Sequence, residues 1–169
     1  MDKLKMAYDP DNITYVLWNL EDYPVSDGAD LGSIRRNIEE ALDLMGIHGS
    51  MDILAFGDQL KSPRAELSEL GIDNFLPEPL SGNNSAAFKL PAQMIGCSGE
   101  GSRVWVIAKQ QGPGSELYRV QQCLASRNYT ILVIDDDDTT GVSPVDSVQS
   151  LFKRTRSFGG GKPQEVGLY

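Results

Sequence analysis

The hydrophobic positions along this chain fall into short apolar runs separated by amphipathic segments. Four runs are almost continuously apolar and rich in β-branched residues, which is typical of strands buried on both faces of a sheet. They cover residues 13–18, 51–56, 104–108 and 129–134. A fifth segment, Ile72 to Leu76, contains two polar residues, stops at Pro77 and predicts a short strand.

The segments between these runs carry a helical pattern. Residues 31–45 place apolar side chains every three or four positions, with Asp30 before the first of them and Gly46 after the last, which predicts a helix. A Ser-Pro pair at 62–63 predicts a second helix start, because serine caps a helix and proline fits its first turn. Further helices are predicted through residues 86–94, despite Pro91, through 117–124, and from Ser143-Pro144 through 152.

Strands that alternate with helices indicate an α/β fold in which helices cover both faces of a mainly parallel sheet. We expect a three-layer sandwich with about five strands. Ligands of such sheets bind beyond the carboxyl ends of the strands. The segments to inspect for function are therefore 19–22, 57–59, 109–111 and 135–138.

The charge of the chain is unevenly distributed. The 169 residues carry a formal charge of −9. Residues 1–150 have 11 basic and 23 acidic side chains, a net charge of −12, whereas residues 151–169 have a net charge of +3. An acidic body does not favour a phosphate backbone, so we expect no DNA binding. The basic, glycine-rich tail is either a weak RNA-contacting arm or a solvated terminus; its cations are Lys153, Arg154, Arg156 and Lys162.

Several classes of chemistry are excluded by composition. Cys97 and Cys123 form no C-x-x-C pair and His48 is the single histidine, so the sequence encodes no disulfide framework, zinc site or Ser-His-Asp triad. We interpret His48 as a turn residue. No apolar run approaches the roughly 20 residues that span a bilayer, and the N-terminus lacks a secretory signal. We therefore expect a protein that is neither secreted nor in a membrane, with the cytoplasm favoured.

Acidic residues follow several of the predicted strands. Glu21, Asp22, Asp58 and Asp135 would converge on one edge of the sheet, where carboxylates could hold Mg²⁺ or Mn²⁺. The alternative is that they are solvated loop residues without chemistry. In the run of four aspartates at 135–138, adjacent side chains cannot all point to one site.

The stretch from Tyr15 to Val25 resembles the opening motif of NYN domains, a PIN-like nuclease family. It resembles the plant branch, whose members are labelled endonucleases and are similar to meiosis regulator and mRNA stability factor proteins. Further motifs follow in the order of the family, and the resemblance covers about residues 12–135. These motifs lie at 37–42 with Gly46, 55–58, 70–72, 84–87 and 127–132.

The resemblance implies a PIN-like, Rossmannoid fold and a role in RNA metabolism and the regulation of gene expression. The family's site is acidic, and this chain departs from it at three positions. Asn19 and Phe88 stand where the family has aspartates, and Gln110 lies in a replaced segment. Glu21 and Asp58 match the family, and Asp22 replaces its asparagine. Because Mg²⁺ loses its water reluctantly and needs carboxylate charge, these departures argue against metal-dependent cleavage.

Three hypotheses follow. The favoured one is a degenerate NYN domain without efficient nuclease activity, which serves as an RNA-associated or protein-binding module and needs no cofactor. The second is an active endoribonuclease that uses Mg²⁺ or Mn²⁺ at a site rebuilt from Glu21, Asp22, Asp58 and Asp135. The third is a protein-interaction subunit that never binds RNA. We expect a lead at 1–11, the domain at 12–152 and the tail at 153–169. The resemblance also allows a peroxisomal location.

Overall fold

The computed structural model describes residues 13–25, 29–57, 60, 64–75, 94–96, 102–109, 112, 114–127, 129–135 and 143–158. Six strands and four α-helices lie within these ranges, together with a 3-10 turn at Pro144–Asp146. The strands are β1 (Ile13–Asn19), β2 (Ser50–Phe56), β3 (Ile72–Phe75), β4 (Arg103–Ile107), β5 (Thr130–Ile134) and β6 (Thr155–Ser157). The helices are α1 (Leu31–Leu44), α2 (Arg64–Glu69), α3 (Glu116–Ser126) and α4 (Val148–Arg154).

The six strands form one sheet in the order β3-β2-β1-β4-β5-β6. Every neighbouring pair is parallel except β5 and β6, which are antiparallel. The α/β class and the mainly parallel sheet are confirmed, and each of the five predicted strands is present within two residues of its predicted bounds. The short strand β6 was not predicted.

Helices cover both faces of the sheet, and the sheet divides the core into two clusters. Alternate residues along β1 point to opposite faces: Val16 and Trp18 belong to one cluster and Leu17 to the other. The first cluster packs the sheet against α1, α2 and α4, and the second packs it against α3. Because both faces are covered, the central strands are apolar at nearly every position.

The ends of α1 confirm the sequence signals. The Asp30 carboxylate accepts a hydrogen bond from the Ser33 backbone N–H at 3.2 Å and so caps the first turn. After the helix, Gly46 has a φ of 77°, a conformation that side chains with a Cβ adopt only with strain. Helix α3 begins in the same way, with the Ser115 hydroxyl accepting from the Tyr118 N–H at 3.1 Å.

The last predicted helix is two separate elements. The expected start at Ser143-Pro144 gives only the 3-10 turn, and Ser147 then adopts an extended conformation with φ −147° and ψ 128°. Ser147 itself caps α4, accepting a hydrogen bond from the Ser150 N–H at 3.3 Å. The turn is fixed from outside, since the Asn37 side chain on α1 donates to the Val145 carbonyl at 3.1 Å.

The chain does not leave the fold at residue 152. The boundary expected there falls inside α4, and residues 155–157 form β6. Thr155 is fully buried, and its hydroxyl donates to the Leu151 carbonyl at 2.5 Å. The first part of the expected tail therefore belongs to the sheet. Residues 1–11 and 159–169 lie outside the described residues, as does most of the helix expected at 86–94, of which residues 94–96 are described and helical.

Among the helices of the described part, none is long and apolar enough to cross a membrane.

Candidate functional site

The sheet reverses its direction of winding beside β1. From β1 the chain passes to β2 and β3 on one side, whereas β4, β5 and β6 lie on the other side. Such a switch point opens a crevice beyond the carboxyl ends of the two central strands, which is where ligands bind in sheets of this kind. Here the crevice lies between the residues that follow β1 and those that follow β4.

Asn19 closes β1 at the base of this crevice. Its side chain is buried, with 1% exposed, and its Oδ1 accepts a hydrogen bond from the Glu21 N–H at 2.9 Å. Its backbone carbonyl accepts from the Tyr23 N–H at 3.1 Å. Asn19 is therefore a neutral amide that holds the turn after β1 in shape.

Asp22 connects the two sides of the crevice. Its carboxylate Oδ2 accepts a hydrogen bond from the Lys109 backbone N–H at 2.9 Å, which joins the turn after β1 to the exit of β4. Bonds from an N–H to an ionised carboxylate are stronger than those between neutral groups. The side chain of Asp22 is half-buried, and that of Glu21 is exposed. The structure thus brings Asn19, Glu21 and Asp22 together on one turn.

Tyr23, at the end of this turn, is held by Trp18 and Arg154. The buried Trp18 indole donates to the Tyr23 carbonyl at 2.7 Å. The Arg154 guanidinium lies over the Tyr23 ring, 5.7 Å from its centre. Trp18 is fully buried and is a core residue, so it offers no contact surface.

The exit of β2 is fixed by a residue that sequence reasoning missed. The Asn74 side-chain amide donates to the carbonyls of Ala55 and Gly57, both at 3.0 Å. Gly57 has a φ of 137°, so a side chain at this position would be strained. Strand β3 has the sequence Ile-Asp-Asn-Phe, and its two central polar residues do not by themselves indicate this contact. Asp58, the candidate ligand that follows Gly57, lies outside the described residues.

Asp135 follows β5 and its side chain pairs with β6. Its carboxylate pairs with the Arg156 guanidinium at 2.5 Å, and its backbone carbonyl accepts from Arg154 Nε at 3.0 Å. Strand β4 lies between β1 and β5, and two strand spacings amount to roughly 10 Å between the backbones. Arg154 also lies over the Tyr23 ring, so it links Asp135 to the turn after β1.

The four candidate RNA-contacting cations also separate. Lys153 is exposed at the end of α4, whereas Arg154 is buried with 9% exposed. Arg156 pairs with Asp135, and Lys162 lies outside the described residues. They do not form one basic surface within the part of the chain that the structure describes.

The donor set at this edge can be tested against a divalent cation. Among the described residues, no group of three or more Asp, Glu, His or Cys side chains is arranged to hold a metal ion. Asn19 contributes a neutral oxygen that already accepts a hydrogen bond, and one Asp22 oxygen is engaged by Lys109. Mg²⁺ demands a nearly octahedral set of oxygens with carboxylate charge. The described residues do not fit that requirement. Phe88 and Gln110, at two degenerate family positions, lie outside the described ranges.

A shifted pKa is found at the opposite edge of the sheet. Desolvation by burial lowers the pKa of the Arg103 guanidinium below its ordinary value. Arg103 begins β4, so it is remote from the carboxyl ends of the strands. Guanidinium groups stay protonated near neutral pH, and this shift contributes nothing to the candidate site.

Comparison of the chain with family models gives no match, and comparison with curated proteins gives none either. The resemblance to NYN domains consequently rests on the ordered motifs of the sequence.

Proposed function

We propose that this chain is a degenerate NYN domain of RNA metabolism, which acts as an RNA-associated or protein-binding module and not as an efficient nuclease. The ordered sequence motifs and the largely parallel sheet support the assignment. The state of Asn19 is the single observation that carries the functional part. This residue ends β1 at the switch point, where ligands of such folds bind.

The argument from Asn19 is electrostatic. Removing water from Mg²⁺ is costly, and carboxylate charges close to the ion offset that cost. Asn19 offers no charge, and its Oδ1 is engaged by the Glu21 N–H at 2.9 Å. Turning Oδ1 towards an ion would leave that N–H without its partner, at a cost of about 1–3 kcal/mol if it became buried. Water activation and leaving-group stabilisation both depend on the metal in a metal-dependent nuclease.

Two other functions remain as candidates. Glu21 and Asp22 stand at the switch point, and together with Asp58 they favour an active endoribonuclease that uses Mg²⁺ or Mn²⁺. The net charge of −12 over residues 1–150 favours a protein-interaction subunit that does not bind RNA. The endoribonuclease requires saturable metal binding, and the protein-interaction subunit predicts that RNA is not bound.

Calorimetric titration with Mn²⁺ tests the metal. We expect no saturable binding by the wild type and none by Glu21→Gln. Asn19→Asp adds the missing carboxylate, so we expect saturable Mn²⁺ binding by this variant. Glu40→Gln, at an exposed position of α1, is the matched control and should behave as the wild type.

The same samples are then incubated with a labelled single-stranded RNA. We expect the RNA to stay uncleaved with the wild type, Glu21→Gln and Glu40→Gln. The proposal makes no demand on Asn19→Asp, which regains a carboxylate. Saturable Mn²⁺ binding and RNA cleavage by the wild type, both lost in Glu21→Gln but kept in Glu40→Gln, would overturn it and establish a rebuilt nuclease site.

A further inference from the structure

A groove of about 590 Å³ runs along the outer side of α3, away from the turn that carries Asn19 and Asp22. Its lining combines apolar and charged side chains and consists of Ile95, Glu116, Arg119, Val120, Cys123, Leu124 and Arg127. None of these residues takes part in the candidate site.

The floor and one wall of the groove are apolar. Leu124 is buried and Val120 is half-buried, and both pack into the core on this face of the sheet. Ile95 stands on the wall with 56% of its surface exposed, more than any other large hydrophobic residue that the structure describes. Apolar surface of this kind, bordered by polar residues, is typical of sites that a protein partner covers.

The groove carries positive charge, although the net charge of the chain is negative. Arg119 lies on α3 and Arg127 is the residue that follows its last turn. They are eight positions apart, so they lie on one side of the helix with Cys123 midway between them, and their Cα atoms are about 12 Å apart. Both arginines are exposed. The groove has one acidic residue, Glu116, in the first turn of the helix. In a chain of net charge −9, this groove is locally cationic over its C-terminal part.

We propose that the groove binds an acidic, amphipathic helical segment of a protein partner. The apolar side of that segment packs on Ile95, Val120 and Leu124, and its carboxylates, spaced about two turns apart, pair with Arg119 and Arg127. Glu116 repels acidic residues at the other end and so sets the direction in which the segment lies. The inference names the partner class for the protein-binding arm of the proposed function and rests on it.

The lining favours a protein over RNA. Single-stranded RNA is held by aromatic side chains on which bases stack, together with cations that follow the backbone. Among the residues that the structure describes, the groove is lined by no aromatic side chain, and it contains a carboxylate that repels phosphate. Helical peptides, in contrast, are held by apolar grooves through side chains spaced by one turn and two turns.

A displayed library of random 16-residue peptides, selected against the immobilised full-length chain, tests the proposal. We expect the enriched peptides to carry apolar residues at helical spacing together with Asp or Glu. Their binding is then measured by fluorescence polarisation on the wild type and on a variant carrying Arg119→Glu and Arg127→Glu. Reversing both charges should weaken binding by about tenfold or more, since like charges then face each other. A second selection, against this variant, should enrich basic peptides.

Two further variants are the controls. Arg36→Glu, at an exposed position of α1 on the opposite face of the sheet, makes one such charge change outside the groove and should leave peptide binding unchanged. Glu116→Lys should strengthen binding of the acidic peptides. Circular dichroism of each variant distinguishes a lost contact from a lost fold.

Several outcomes contradict the inference. No enrichment, enrichment without an acidic bias, or peptides that bind the reversed variant equally well would each overturn it. Self-association that is lost in the reversed variant would assign the groove to a second copy of the chain, and RNA binding lost in that variant would assign it to RNA. Metal-dependent cleavage alone would overturn the proposed function while leaving the peptide result standing.

Discussion

At the scale of single residues, two side-chain oxygens shape the turn after β1. Asn19 Oδ1 accepts from the Glu21 N–H within the turn, and Asp22 Oδ2 accepts from the Lys109 N–H across the crevice. The first bond is local and sets the path of the chain. The second joins positions 87 residues apart, and it holds together the exits of the two central strands.

The bond made by Asp22 gives a stability prediction. We expect Asp22→Ala to lower the free energy of unfolding by about 1–2 kcal/mol, because the Lys109 N–H loses a charged acceptor. Asp22→Asn keeps an oxygen and should lose less. Chemical denaturation measures both. Glu40→Ala, at an exposed position of α1, is the control and should change stability by less than about 0.5 kcal/mol. Equal losses for Asp22→Ala and Glu40→Ala would show that this contact does not hold the turn.

The two tryptophans form a matched pair for a second prediction. Both are fully buried, but Trp18 Nε1 donates to the Tyr23 carbonyl at 2.7 Å, whereas Trp105 Nε1 has no partner among the described residues. Replacement by Phe removes the N–H and similar volume from each. We expect Trp18→Phe to be more destabilising than Trp105→Phe by about 1 kcal/mol, the net contribution of one hydrogen bond. Thermal unfolding of the two variants would contradict this if their losses were equal.

Residue roles could be predicted from sequence where they depend on local geometry. Asp30 was placed before α1 and caps it, and Gly46 was placed after α1 and has the positive φ that such a stop requires. The roles of Asn74 and Asp22 could not be predicted in this way. Each forms hydrogen bonds with a strand that is distant along the chain, and no local pattern indicates that strand.

At the scale of elements, α4 and β6 act together as a clamp on the outer part of the sheet. Strand β6 pairs with β5, and Arg154, at the junction, donates to the Asp135 carbonyl at 3.0 Å while its guanidinium lies over the Tyr23 ring. The junction therefore connects the exit of β5 with the turn after β1. Residues 153–157 of this segment were expected to belong to a basic tail, because the sequence shows the charge of their cations but not the partners of those cations.

Truncation tests the clamp. A chain that ends at residue 154 lacks β6, so the backbone of β5 is unpaired at the edge of the sheet. A chain that ends at residue 158 keeps β6 and its pairing with β5. We expect the shorter chain to melt about 10 °C below the longer one, the change that a loss of about 3 kcal/mol produces in a domain of this size. It should also aggregate more readily, because an open strand edge pairs with other chains. Equal melting temperatures would show that β6 does not stabilise the sheet.

At the scale of the whole molecule, the distribution of charge limits how RNA can bind. Arg154 is buried and Arg156 is paired with Asp135, whereas Lys153 is exposed at the end of α4. Each phosphate that is neutralised on a single strand contributes about −0.7 to the slope of log affinity against log salt. We therefore expect weak RNA binding with a shallow salt dependence.

Single-charge variants test this expectation. Lys153→Glu should weaken binding of a labelled single-stranded RNA and reduce the size of the salt slope by about 0.7. Arg36→Glu changes the net charge equally at an exposed position of α1 and should leave binding unchanged. Equal weakening by both variants would mean that the total charge governs binding. RNA binding that is measurable but unchanged in both variants would place the RNA on another surface.

The sequence by itself determined the class of the fold, the five parallel strands, the main helices and the edge of the sheet at which to look for a site. These properties follow from the periodicity of hydrophobic residues and from capping residues, which act over a few positions of the chain. Only the tertiary structure decided the antiparallel β6, the break at Ser147 and the pairing of Asp135 with Arg156. Each of these depends on partners that are remote in sequence. Strand pairs, ion pairs and side-chain hydrogen bonds between elements form only between segments that the fold brings together.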